Sequence, residues 1–156
     1  MNQPTPGEVA VLDYGSQYSQ LIVRRVRELG FMAHLYPPAR LAELNAPGAI
    51  ILSGGPRSTS EVDAPDVDFP RLMAFGVPVL GVCYGMQLLN IKHGGTVKPG
   101  VTREYGPAKL VVAAEDCALF AGVSRESQVW MSHSDTCHDR GGSTRVIATN
   151  EDGVPV

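Results

Sequence analysis

The chain has 156 residues and a mass of 16.6 kDa, the size of one compact domain, so we expect a single domain over residues 1–156. Its residues are 44% hydrophobic, 19% charged and 6% aromatic, a composition that excludes a disordered or fibrous protein. The net charge of −3 disfavours partners held by charge alone, so we expect neither nucleic acid nor a membrane surface as a partner.

The N-terminal residues and the cysteines indicate the compartment. Residues 1–8 lack the basic start and apolar stretch of a signal peptide, and no apolar run approaches the roughly 18 residues of a membrane helix, so we expect a cytoplasmic protein. Cys83, Cys117 and Cys137 form an odd set without a C-x-x-C pair. This pattern disfavours a disulfide framework and a zinc site, so we expect no metal.

Strands and helices alternate in the first two thirds of the chain. Ser16 is predicted to cap the first helix and Gly30 to end it. Apolar runs predict strands at 9–14, 31–36, 49–53 and 77–82, the first and the last of them buried. Helical patterns follow up to residue 30 and at 38–45, 69–75 and 84–93. This order predicts an α/β fold, an open, mostly parallel twisted sheet with helices on both faces. Ligands are then expected at the carboxyl ends of the strands.

The pattern changes from Thr96 onward. Short β-like pieces at 109–113, 128–131 and 145–149 are separated by Gly, Asp and Ser residues. They predict a small antiparallel β lobe beside the parallel sheet.

The most informative motif is the G-x-C-x-G run from Gly81 to Gly85, which joins a predicted strand to a predicted helix. It has the form of a nucleophile elbow with Cys83 as the nucleophile. The two glycines suit a turn so tight that a Cβ would collide with the neighbouring backbone. The first turn of the following helix favours the reactive thiolate over the thiol. A buried cysteine acting as a small hydrophobe is the alternative, and the flanking glycines argue against it.

A cysteine that attacks an acyl carbon needs hydrogen-bond donors for the oxyanion. The elbow supplies the N–H of Tyr84, and the run Ser53-Gly54-Gly55-Pro56, at the end of another predicted strand, can turn a glycine N–H toward the same point. By itself the Gly-Gly pair is equally consistent with a plain turn.

Five blocks of the sequence, in order and at matching spacing, resemble the class I (triad-type) glutamine amidotransferases. They are residues 13–22 (DYGSQYSQLI), 50–56 (IILSGGP), 76–87 (GVPVLGVCYGMQ), 103–106 (REYG) and 129–135 (VWMSHSD). The first, fourth and fifth blocks are similar to the glutaminase domain of the GMP synthase type in particular.

The resemblance implies a role for each matching residue. Cys83 would attack the side-chain amide of glutamine and form a glutamyl thioester, while Tyr84 and Gly55 would donate to the oxyanion. The residues implied to line the glutamine pocket are Gln87, Ser132, His133 and Asp135. The released ammonia would pass to an ATP-pyrophosphatase (synthetase) domain or subunit that aminates xanthosine monophosphate, in purine biosynthesis. No cofactor is implied for the glutaminase domain, because ATP and Mg²⁺ serve the synthetase domain.

The sequence departs from the family at the general base. The family carries its triad histidine and glutamate in a His-Pro-Glu element, and this chain reaches Val156 without one, so we expect a domain truncated before that element and inactive by itself. His133 is a poor substitute because the matching family residue is not the base, and His34 and His138 are expected to be structural or solvated. A sheet that ends early would expose an apolar edge and favour a homo-oligomer.

Two other functions are compatible with these residues. The chain could be a catalytically silent glutamine-binding or regulatory module for a separate synthetase subunit. It could also be an unrelated cysteine hydrolase on a similar sheet, although that leaves the first and fifth blocks without a purpose.

Overall fold

A computed structural model describes residues 6–142 and 144–156, with side chains at all of these positions except 100–105, 133 and 134. The chain forms two compact units, one extending to Lys92 and one running from His93 to Val156. No helix in the described part of the chain has the length and apolar character needed to span a membrane.

The first unit is a four-stranded parallel sheet with helices between the strands. Its elements are β1 (Val9–Leu12), α1 (Ser19–Glu28), β2 (Ala33–Tyr36), a 3-10 helix (Pro38–Glu43), β3 (Ala49–Leu52), α2 (Phe69–Ala74), β4 (Val79–Gly81) and α3 (Tyr84–Lys92). The strand order is β2-β1-β3-β4, and every neighbouring pair is parallel. The predicted α/β class and parallel sheet are therefore confirmed.

Helices cover both faces of the sheet because successive residues of a strand point to opposite sides. The face that packs on α1 buries Val11, Val23, Ala33 and Ile51. The face that packs on α2 and α3 buries a larger cluster that includes Ala10, Leu12, Ile50, Leu52, Leu72 and Leu88. The short apolar runs of β1 and β3 thus fill two cores at once, as expected for strands buried on both sides.

Two local predictions in this unit are wrong. Ser16 does not cap α1, because the helix begins at Ser19 with Tyr18 at the N-cap position. The Ser16 hydroxyl, two residues earlier, accepts a hydrogen bond from the N–H of Tyr18 at 3.1 Å. The strand before Cys83 is also not fully buried. Among the described residues β4 pairs with β3 alone, at the edge of the sheet, and Leu80 remains 39% exposed.

The second unit is an antiparallel sheet of order β6-β5-β7, which confirms the predicted β lobe. Its strands are β5 (Thr96–Val112), β6 (Glu126–Asp139) and β7 (Ala148–Thr149), with a 3-10 helix at Ala118–Phe120. β5 and β6 are much longer than the short pieces predicted from the sequence. The sheet tolerates the turn-like residues of β5 through an irregular register between Pro99 and Glu104 and a positive φ of 119° at Gly106.

Candidate active site

Cys83 lies between β4 and α3 in a backbone conformation that non-glycine residues rarely adopt. Its φ is +51°, in the left-handed region. The chain reverses within this residue, since Val82 still donates to Leu52 O at 2.9 Å and the N–H of Gly85 already bonds to Ser53 O at 3.1 Å. Such a conformation costs about 1–3 kcal/mol and persists where the surroundings enforce it, often at an active site.

The glycines on either side of Cys83 allow the strand and helix to approach this closely. A Cβ on Gly81 would lie 2.6 Å from the carbonyl carbon of Gly85 and from the N of Met86. A Cβ on Gly85 would lie 2.6 Å from Leu52 Cβ and 2.7 Å from the Leu52 carbonyl carbon. Both obstacles are mainly backbone, which cannot rotate away, so the turn requires glycine at both positions, as the motif predicted.

The Gly54-Gly55 turn lies beside Cys83 because β3 and β4 are neighbours and both end at the same edge of the sheet. A Cβ on Gly54 would be 3.4 Å from Cys83 Cβ, and a Cβ on Gly55 would be 2.5 Å from the carbonyl oxygen of Tyr14. The turn is therefore packed between the elbow and the end of β1.

The amide N–H groups of Gly55 and Tyr84 are available to a ligand in this unit. Within residues 6–142 and 144–156, neither N–H donates a hydrogen bond. For Tyr84 this follows from its position, since the first N–H groups of a helix have no partner within the helix. Two amide donors and a thiol at one sheet edge can together bind and attack a carbonyl group.

Ser53 and Tyr14 support this edge, and sequence reasoning did not single out either. The Ser53 side chain is fully buried, donates to Gly54 O at 2.8 Å and accepts from the N–H of Tyr14 at 3.0 Å. A serine at the end of the apolar run Ile50-Ile51-Leu52 was the available signal, because a buried hydroxyl must find a partner.

The rings of Tyr14 and Tyr84 pack together beneath the elbow, with centroids 5.2 Å apart and planes inclined by 36°. The Tyr84 hydroxyl donates to the carbonyl oxygen of Pro65. Burial raises the pKa of both phenols above the ordinary value, so both stay protonated at neutral pH and neither serves as a base.

The other predicted site residues divide between the two units. Gln87 lies on α3 with its side chain 4% exposed, and its N–H donates to Cys83 O at 3.0 Å. The first unit therefore brings together Gly55, Cys83, Tyr84 and Gln87. Ser132 and Asp135 lie on β6 of the second unit, opposite Tyr105 and Pro99 of β5. His133 is on the same strand, and its side chain is outside the described part.

His34 and His138 were each expected to be structural or solvated, His138 in a polar loop. His34 lies on β2 as predicted, whereas His138 lies on β6 and not in a loop. His34 Nδ1 is 2.6 Å from Glu8 Oε2, and the Tyr36 hydroxyl donates to the other oxygen of that buried carboxylate at 2.6 Å. This cluster lies toward the amino end of β1, whereas Cys83 follows the carboxyl end of β4. His138 is exposed and 3.3 Å from Asp139. No three His, Cys, Asp or Glu side chains converge on a possible metal site in the described residues.

Comparisons with known proteins identify the family of this chain. The family model "Glutamine amidotransferase class-I" matches residues 10–156. Over 131 residues the chain is 48% identical to the glutamine-hydrolysing GMP synthase of Latilactobacillus sakei, covering 82% of this chain and 25% of that protein. Over 145 residues it is 50% identical to the glutamine-hydrolysing GMP synthase of Candida albicans, covering 92% of this chain and 27% of that protein. The chain thus spans about a quarter of the length of these relatives.

Solved structures show the same fold. The crystal structure of a proposed GMP synthase subunit from Thermoplasma acidophilum superposes with a TM-score of 0.79 and 25% identity, over 94% of this chain and 74% of that one. A glutamine amidotransferase from Thermotoga maritima superposes with a TM-score of 0.72 and 18% identity, over 97% of this chain and 70% of that one.

Proposed function

Because the chain belongs to the class I glutamine amidotransferase family, we propose that it hydrolyses glutamine with Cys83 as the nucleophile and delivers the ammonia to GMP synthesis. The observation that carries the proposal is the φ of +51° at Cys83. A cysteine that served only to fill space would gain nothing from a strained backbone, whereas a nucleophile is held clear of the sheet by it.

The proposed reaction proceeds through a thioester. The Cys83 thiolate attacks the side-chain carbonyl carbon of glutamine, a C–S bond forms, and the carbonyl electrons move onto oxygen. The N–H groups of Tyr84 and Gly55 bind this oxyanion, each contributing about 3 kcal/mol to the barrier reduction if it matches donors of this kind elsewhere. The oxyanion then collapses and the C–N bond breaks, and the nitrogen leaves as ammonia after taking up the proton that the Cys83 thiol gave to the general base. Water then cleaves the thioester, releasing glutamate and restoring the thiol.

Four polar residues are proposed to bind glutamine and so to select it: Gln87, Ser132, His133 and Asp135.

The proton transfers also need a general base, and none of the four histidines in the 156 residues is followed by Pro-Glu. We therefore expect a polypeptide of these 156 residues to release ammonia only near the background rate.

The destination of the ammonia is proposed from the relatives, which are named GMP synthases. An ATP-pyrophosphatase domain or subunit would use it to aminate xanthosine monophosphate. ATP and Mg²⁺ would serve that step, and the glutaminase reaction itself uses only amino-acid side chains, backbone N–H groups and water.

Alkylation by a glutamine-like diazo ketone tests the proposal directly. We expect one adduct, on Cys83, by intact-mass and peptide mass spectrometry, and protection of that residue by excess glutamine. Cys117 and Cys137 are internal controls, and burial raises the pKa of the Cys137 thiol, which lowers its reactivity further. The Cys83→Ala variant should remain unlabelled. Labelling that spreads equally over the three cysteines, or none at all, would instead favour a silent binding module.

A further inference from the structure

Ser53 connects the three segments that meet at the candidate active site. Its hydroxyl accepts the N–H of Tyr14, which follows β1, and donates to the carbonyl oxygen of Gly54 at 2.8 Å. Its own carbonyl oxygen accepts the N–H of Gly85 at the start of α3, at 3.1 Å. The residue is fully buried, so water does not compete for the hydroxyl.

The hydrogen bond to Gly54 O determines the direction of the Gly55 N–H. The two groups belong to one trans peptide unit, in which C=O and N–H point in opposite directions. Holding the carbonyl oxygen on the Ser53 side therefore turns the N–H of Gly55 away from Ser53. Glycine flanks this peptide on both sides, so the two residues carry no side chains of their own that would fix its orientation. The Ser53 hydroxyl supplies a hydrogen bond that favours the observed orientation.

We propose that Ser53 is a positioning residue that orients the Gly54–Gly55 peptide so that the Gly55 N–H, and not the Gly54 carbonyl oxygen, faces the oxyanion. This inference rests on the proposed glutaminase function. In the rotated peptide a carbonyl dipole would meet the developing negative charge and oppose catalysis. In this scheme the Ser53 hydroxyl contacts no reacting atom, and it affects catalysis only by orienting the Gly54–Gly55 peptide.

The test compares Ser53→Ala and Ser53→Cys with wild type in glutamine hydrolysis, using the protein expressed from its complete reading frame. A hydrogen bond of ordinary strength changes a conformational equilibrium by up to about tenfold, so we expect kcat to fall by about tenfold. KM for glutamine should stay within about twofold, because the peptide contacts the oxyanion and not the ground-state amide. Ser53→Cys keeps the side-chain shape with a weak donor, and it decides the question alone if Ser53→Ala does not fold.

A second measurement reports on the oxyanion alone. The aldehyde analogue of glutamine forms a hemithioacetal whose oxygen occupies the same position, and its inhibition constant should rise by about the same factor that kcat falls. Ser19→Ala is the matched control, since Ser19 is equally buried and its hydroxyl donates to Asp13 Oδ1 at 2.7 Å and not to the Gly54–Gly55 peptide. We expect this control to keep the wild-type kcat.

The outcomes separate the inference from the proposed function. Wild-type kcat in Ser53→Ala or Ser53→Cys, or an equal loss in Ser19→Ala, would overturn the role of Ser53 while leaving Cys83 as the nucleophile. A rise in KM with unchanged kcat would also overturn it. Absence of Cys83-dependent hydrolysis in the wild-type protein would instead refute the proposed function itself.

Discussion

Gly85→Ala is the substitution for which the structure makes the sharpest prediction, because two effects of opposite sign compete. Gly85 lies in the first turn of α3, where alanine is ordinarily favoured over glycine by about 1 kcal/mol. A Cβ at this position would, however, lie 2.6 Å from Leu52 Cβ and 2.7 Å from the Leu52 carbonyl carbon, where ordinary contacts begin at 3.4 Å.

The clash cannot be relieved cheaply. Leu52 is fully buried in β3, and its carbonyl oxygen accepts the N–H of Val82, so moving the strand away would break its pairing near the elbow. Overpacking costs about 1–3 kcal/mol, and the upper value applies because the obstacle includes backbone. Subtracting the gain of about 1 kcal/mol in helix propensity leaves a net loss of about 2 kcal/mol.

Urea unfolding of the 156-residue chain, followed by far-ultraviolet circular dichroism, measures this loss. We expect a lower midpoint with an unchanged slope, and a melting temperature lower by about 4–8 °C. Gly142→Ala is the control, since a Cβ there meets nothing within 4 Å, and its stability should stay within about 0.5 kcal/mol of wild type. A Gly85→Ala variant as stable as wild type would refute the close approach of α3 to β3, and with it the elbow geometry.

Two further predictions concern buried polar groups. Tyr14→Phe should leave the free energy of unfolding near neutral pH unchanged or raise it by up to about 1 kcal/mol, because the Tyr14 hydroxyl is buried without a hydrogen-bond partner among the described residues. Burial raises the pKa of Tyr14 above 10.0, so this tyrosine ionises at a lower pH in the unfolded chain, and the free energy of unfolding falls as the pH rises past that value. Urea titrations from pH 8 to pH 11 should show a smaller fall with pH in Tyr14→Phe than in wild type. An equal fall in both proteins would contradict the argument. Asn150→Ala should lower the free energy of unfolding by about 1–3 kcal/mol, since the buried side chain of Asn150 accepts the N–H groups of Asp152 and Val154 at Oδ1. Asn150→Asp, which keeps the acceptor, should lose less in the same titration.

Local spacing was sufficient to predict the elbow. The G-x-C-x-G run indicates a turn in which both flanking residues must lack a side chain. In the structure a backbone atom lies 2.6 Å from where a Cβ on Gly81 would be, and another lies 2.7 Å from where a Cβ on Gly85 would be. The alternation of apolar runs and helical patterns was likewise sufficient to predict the parallel sheet. Short continuous apolar runs are typical of buried strands, and a helix between successive strands is typical of parallel pairing.

Strand length and exposure could not be predicted in the same way. β5 extends over 17 residues through Pro99, Gly106 and Pro107, which read locally as breaks, because hydrogen bonds from β6 hold the chain extended there. The exposure of Leu80 follows from the position of β4 at the edge of the described sheet, beside β3. Both properties are set by partners distant in sequence, which a local pattern does not contain.

Short-range spacing and backbone sterics were enough to predict the fold class and the turn that carries Cys83, together with the residues at that turn. The hydrogen bonds that link Ser53 to Tyr14 and Gly54 became visible in the folded chain, as did the packing of Tyr14 on Tyr84, 70 positions further along. The carboxyl ends of three parallel strands meet at one edge of the sheet, so contacts there join residues that are far apart in the sequence and that a local pattern does not relate.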